Sequence, residues 1–143
     1  MELRKFIERT AATGILGVKI TQNGEDMGKH LWDEECRRNI YSASKSFTSA
    51  AVGIAVKEGL LRLEERLVDA FSEDIPENPN EFLQQATVRD LLTMCLGQQN
   101  AELMGGQRPF YQQKDWVRMS LAFPFTECPG KRFLYNNVGP YLA

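Results

Sequence analysis

Histidine is almost missing from this chain of 143 residues, with His30 as its single representative, and no charge of one sign dominates. With a single histidine, a zinc site or a histidine-based catalytic triad is close to excluded. Cys36, Cys95 and Cys128 are odd in number, far apart and without metal-ligand spacing, so they read as reduced thiols of a cytoplasmic protein and not as a disulfide framework or a metal site. The formal net charge of -2, with acids and bases interleaved, provides no field for nucleic acid or an anionic membrane. Long apolar runs are also lacking. The longest, Ala50 to Val56, falls far short of the roughly 18 residues that span a bilayer, and the charged N-terminus has no signal core. Neither a membrane nor a nucleic-acid partner is expected, and no cofactor or metal is implied.

What is present suits one domain with a genuine core, since 43% of the residues are apolar. Leu3, Phe6, Ile7 and Thr10 recur at helical spacing, which predicts a helix over residues 2–12. Residues 15–21 and 28–33 read as the strands of a β-hairpin with a slightly long loop around Asn23-Gly24. Residues 42–58 carry Phe47, Ala50, Ala51, Ile54 and Ala55 on one face and are followed by Gly59, the pattern of a buried central helix with a glycine C-cap. A short helix is expected around Leu67 to Phe71, then a surface loop around Pro76 and Pro79. Thr87 and Asp90 form a capping-box pattern for a helix over about 88–96. Residues 97–113 read as a long polar connection. Asp115 should cap a helix from Trp116 to Ala122, which Pro124 stops. Trp32, Trp116, Phe47 and Phe71 read as packing residues.

Two motifs carry chemistry. Tyr41-Ser42-Ala43-Ser44-Lys45 contains Ser-x-x-Lys at a helix start, and a spacing of three puts the Lys45 amine within reach of the Ser42 hydroxyl. A serine needs a neighbouring base to become a nucleophile, and without a useful histidine a lysine amine is the natural substitute. A helix start also aims backbone N–H groups at a developing oxyanion. The structural alternative for these four residues is a serine N-cap followed by a solvated lysine. The second motif is Tyr135-Asn136-Asn137. A phenol beside an ammonium can accept or relay a proton, and the Asn137 amide can donate to a substrate carbonyl or accept from Lys45. Alone, this motif also fits a packed tyrosine and a turn asparagine. Arg37, Arg38 and Lys131 are candidates for holding an acidic substrate group, with solvated surface charge as the simpler reading.

Taken together with Glu58-Gly-Leu-Leu61, Thr87-Val-Arg-Asp-Leu-Leu-Thr-Met94 and Pro129-Gly-Lys-Arg-Phe-Leu-Tyr135, the two motifs resemble the family of class C β-lactamases, penicillin-binding proteins and related esterases. The resemblance implies an α+β β-lactamase/transpeptidase-like fold, truncated, mostly helical, with an N-terminal β-hairpin and without the C-terminal strands. Residues 1–143 would form a single incomplete domain, with helix and hairpin in 1–41 and the motif-bearing helical region in 42–143. It implies Ser42, Lys45 and Tyr135 as catalytic residues, Asn137 as a substrate-binding residue, and a small-molecule amide, ester or β-lactam as substrate. The family's third motif, Lys-Thr-Gly or His-x-Gly, does not occur after Tyr-x-Asn in this sequence. A weakly active fragment is therefore expected, with a non-catalytic ligand-binding or regulatory module and an inactive folding fragment as alternatives. The unpaired hairpin edge further suggests a homo-oligomer.

Overall fold

A computed structural model describes residues 3–143, and its contacts divide the chain into two compact units, one ending at Ile40 and one spanning Tyr41–Ala143.

In the first unit, α1 (Arg4–Thr10) precedes an antiparallel pair, β1 (Gly17–Gln22) and β2 (Glu25–Leu31). The hairpin is tighter than the sequence suggests. Gln22 pairs with Glu25, which leaves a two-residue turn in which Asn23 (φ 52°) and Gly24 (φ 83°) are both left-handed. This is the type I′ geometry that Asn-Gly favours and that matches strand twist, so no longer loop is needed. A bulge follows, because Ile20 pairs with Gly28 while Thr21 pairs with Asp26. Trp32 anchors the unit's aromatic contacts, edge-on to His30 at 4.6 Å and tilted on Phe6 at 6.4 Å between ring centroids.

The second unit holds the hydrophobic core. A 3-10 turn over Tyr41–Ser44 runs into α2 (Lys45–Lys57), followed by α3 (Leu67–Ala70), α4 (Glu81–Gln85), α5 (Val88–Thr93), α6 (Trp116–Ala122) and α7 (Val138–Leu142). Leu67, Leu83, Leu91, Leu121, Phe125 and Val138 meet at its centre, contributed by five of these helices and the segment after α6. Gly59 (φ 73°) ends α2 in a Schellman motif, with its N–H on the Val56 carbonyl and the Leu60 N–H on that of Ala55. The α2 helix itself is not the buried element its periodicity predicts. Val52 alone in it is buried, while Phe47 is 70% and Ile54 58% exposed. The core is built instead from α3 to α7, so the apolar face of α2 and the ring of Phe47 remain open. An apolar period reports what a helix could bury, and burial requires a partner.

Helix starts follow their capping residues. The Asp115 carboxylate accepts from the Arg118 N–H at 3.0 Å, and Pro124 follows the extended Phe123 that ends α6. The Asp90 carboxylate accepts from both the N–H (2.9 Å) and the hydroxyl (2.7 Å) of Thr87, fastening the first turn of α5. That helix ends at Thr93, with the left-handed Met94 (φ 56°) as its C-cap, three residues before the expected end. Asp90 is nearly buried. Asp90→Ala should therefore lower stability by about 1–2 kcal/mol, read as a lower urea midpoint at unchanged slope. The α4 helix has no counterpart in the sequence reading. The Asn80 side chain starts it by accepting from the Leu83 N–H at 3.0 Å while donating to the Phe125 carbonyl at 2.7 Å.

Residues 97–113 are more ordered than a polar connection. Gln98 bridges to Phe125, Leu103 is 1% exposed, and Arg108–Phe110 form a 3-10 turn. No described helix is long and apolar enough to cross a membrane.

Candidate active site

Ser42 lies in the 3-10 turn directly before α2, where residues three apart eclipse one another. Lys45 accordingly stands over it, and its Nζ donates to Ser42 Oγ at 3.0 Å. Tyr41, the residue before Ser42, has φ 46°, a left-handed value uncommon for a bulky side chain and often found where a fold holds a functional residue out. Nothing in the sequence marks that strain.

Tyr135 reaches the pair from the far end of the unit. The segment carrying it is tied to the end of α5 by the Gly130 N–H on the Cys95 carbonyl (2.8 Å) and the Leu134 N–H on the Met94 carbonyl (2.9 Å). Behind it, the buried Asn136 side chain accepts from the Gly139 N–H at 3.2 Å and caps α7. Gly139 is needed there because a Cβ would sit 2.3 Å from the Leu91 carbonyl oxygen. The result puts the Tyr135 ring centroid 5.2 Å from Lys45 Nζ. Hydrogen bonds from Ser42 and then from Lys45, together with the lysine's charge, hold the Tyr135 phenol below its ordinary value near 10, against a weaker opposing effect of desolvation.

Asn137 faces the same open cleft of about 260 Å³, which is lined by Tyr41, Ser42, Ser44, Lys45, Arg108 and Asn137. Its amide nitrogen donates to the Leu103 carbonyl at 2.9 Å and to Met104 Sδ at 3.6 Å. Both amide hydrogens are thus engaged within the protein, and the oxygen remains to accept.

The structure therefore brings Ser42, Lys45, Tyr135 and Asn137 together. The other basic candidates are not among the residues lining this cleft. Arg38 belongs to the first unit and is paired with Asp33 at 2.6 Å, Arg37 is an exposed residue of the same unit, and Lys131 is not among the residues lining the cleft. Arg108 lines the cleft instead. It sits in a segment without helical or strand periodicity, so no local pattern singles it out. Among the described residues, no group of His, Cys, Asp or Glu could hold a metal ion.

Comparison with known proteins bears on the family and the fold. No curated protein matches the sequence. Among solved structures, a Bacillus anthracis protein assigned as a 6-aminohexanoate-dimer hydrolase superposes over 98% of this chain with a TM-score of 0.64 and 17% identity. At that identity the likeness speaks for the fold, and this chain spans only 40% of that protein's length. The family model named Beta-lactamase matches residues 3–143. With its two-stranded hairpin, seven described helices and Ser-x-x-Lys turn, the chain belongs to the β-lactamase family of hydrolases and has its β-lactamase/transpeptidase-like α+β fold.

Proposed function

We propose that the chain carries the acylation machinery of a serine hydrolase acting on a small-molecule amide, ester or β-lactam. The observation behind this reading is the Lys45 amine donating to Ser42 Oγ at 3.0 Å, beside a phenol whose pKa is lowered by both groups. Lys45 and Tyr135 together activate Ser42 as its oxygen attacks the carbonyl. The Tyr135 oxygen takes the proton, and the cationic Lys45 stabilises the phenolate before and the oxyanion during attack. When the C–N or C–O bond breaks, the phenol returns the proton to the leaving group. Water then attacks the acyl-enzyme, one of its protons restores the Ser42 hydroxyl, and the acid is released. In this reading, backbone N–H groups at the turn before α2 serve the developing oxyanion. Asn137, through its amide oxygen, accepts from a substrate N–H or from Lys45. A protein of the same fold is assigned to an amide dimer, so linear amides belong among the substrates tried.

A fluorescent penicillin and a fluorophosphonate should label the wild-type chain covalently, and Ser42→Ala should remove the label. Labelling that survives this substitution, or a wild-type chain that neither probe marks, would overturn the proposal.

A further inference from the structure

Arg108 is the charged cleft-lining residue to which the acylation scheme gives no task. Its Nε donates to the Leu103 carbonyl at 3.1 Å, the same oxygen that accepts from Asn137 Nδ2 at 2.9 Å. One carbonyl thus fixes both side chains. Leu103 is suited to this anchoring, since it is buried to 1% and held at φ 57°, a strained value for a leucine. Its N–H donates to the Tyr111 hydroxyl at 3.2 Å, and that hydroxyl donates to the Glu102 carboxylate at 2.8 Å. Burial and the Glu102 contact raise the Tyr111 pKa, which keeps the phenol protonated and the chain of bonds intact.

The network leaves a definite surplus. A guanidinium has five N–H donors, and Nε uses one of them, so the outer nitrogens keep their paired fork. Among the described residues no carboxylate forms an ion pair with Arg108, and none lines the cleft, whereas Lys45 adds a second positive charge to it. Glu102, the nearest acid in sequence, is already bonded to Tyr111.

We propose that Arg108 is a specificity-determining residue that binds an anionic group, of carboxylate type, on the substrate of the Ser42 site. The preferred substrates are then acyl compounds bearing a second, negatively charged end. The assignment rests on the serine hydrolase reading above for its chemistry, while the anion site itself stands on the Leu103 anchoring and on a cleft with two cations and no acid.

The test pairs two esters of equal chain length, nitrophenyl hemiadipate and nitrophenyl hexanoate, which differ in a terminal carboxylate. At low salt, the wild-type chain should release nitrophenolate from the hemiadipate with a kcat/KM about 10- to 100-fold higher, the size of one charge-assisted ion pair. Arg108→Gln should bring the ratio toward one, and Arg108→Lys, which keeps charge without the fork, should retain part of it. A second measurement is independent of turnover: calorimetric binding of adipate to Ser42→Ala, and its loss when Arg108→Gln is added. Equal wild-type rates on the two esters, or a preference that survives Arg108→Gln, overturns the proposal. Adipate binding that depends on Arg108, without acylation of Ser42 by either ester, upholds the anion site and overturns the hydrolase reading instead. Neither acylation nor adipate binding removes both.

Discussion

Lys45→Met is expected to slow acylation of Ser42 by about 10³-fold, in the middle of the range that a positioned proton-handling group contributes. The substitution keeps most of the side-chain volume and deletes the donor that bonds Ser42 Oγ at 3.0 Å. It should leave stability within about 0.5 kcal/mol, because Lys45 is only partly buried and, among the described residues, makes no ion pair. A loss of rate at unchanged melting temperature therefore reports chemistry.

The same variant carries a second signature. In the wild-type chain the Tyr135 phenol is drawn below its ordinary value, with Ser42 the larger cause and Lys45 the next. If phenolate is the form that accepts the serine proton, acylation rises with pH as the phenol ionises, with a midpoint below the phenol's ordinary value. Removing Lys45 withdraws one hydrogen bond and one positive charge from the phenolate, so the rising limb must move to higher pH. Stopped-flow acylation profiles of the two proteins give both quantities. A variant as fast as wild type, or a limb that stays in place, contradicts the assignment of Lys45.

The Ser42 and Lys45 contact is legible in the sequence because it is local, whereas Tyr135 and Asn137 stand far along the chain and are singled out by the family resemblance. Ser-x-x-Lys needs only one helical turn to make contact, and Asn23-Gly24, Gly59, Thr87 with Asp90, and Asp115 each specify a backbone conformation through one or two side chains. What stayed hidden depends on distant partners. The five residues of α4 are too few to show a period, and their start is set by an asparagine that also reaches Phe125. Leu103 looks like part of a polar connection, yet it is a core residue whose strained backbone organises Arg108 and Asn137. The open face of α2 was misread for the opposite reason, since its pattern is clear and the cover that the pattern anticipates is not supplied by α3 to α7.

Gly97→Ala is expected to be the most damaging single-methyl change in the chain, lowering stability by about 3 kcal/mol or more and the melting temperature by roughly 10 °C. Gly97 has φ 80°, where an L side chain is already strained, and a Cβ there would lie 2.0 Å from the Glu127 carbonyl oxygen. The collision is with backbone, so no rotamer change relieves it. Nor can residue 127 retreat freely, because the Gly97 carbonyl accepts from the Thr126 and Glu127 N–H groups at 2.8 and 3.1 Å, and Gln98 bridges to Phe125 next door. Displacing this crossing also disturbs Glu127, whose carboxylate pairs with Arg132 at 2.7 Å, and through Arg132 the segment that delivers Tyr135 to Ser42. Molecules that still fold should therefore show slower acylation as well as weaker stability. Gly53→Ala provides the contrast: that glycine sits inside α2 with nothing within 4 Å of its added methyl, so the same change should stabilise by about 0.5–1 kcal/mol. Urea unfolding of the two variants checks the difference. Equal stabilities would mean that the close passage of Gly97 over Glu127 does not hold the Tyr135 segment in place.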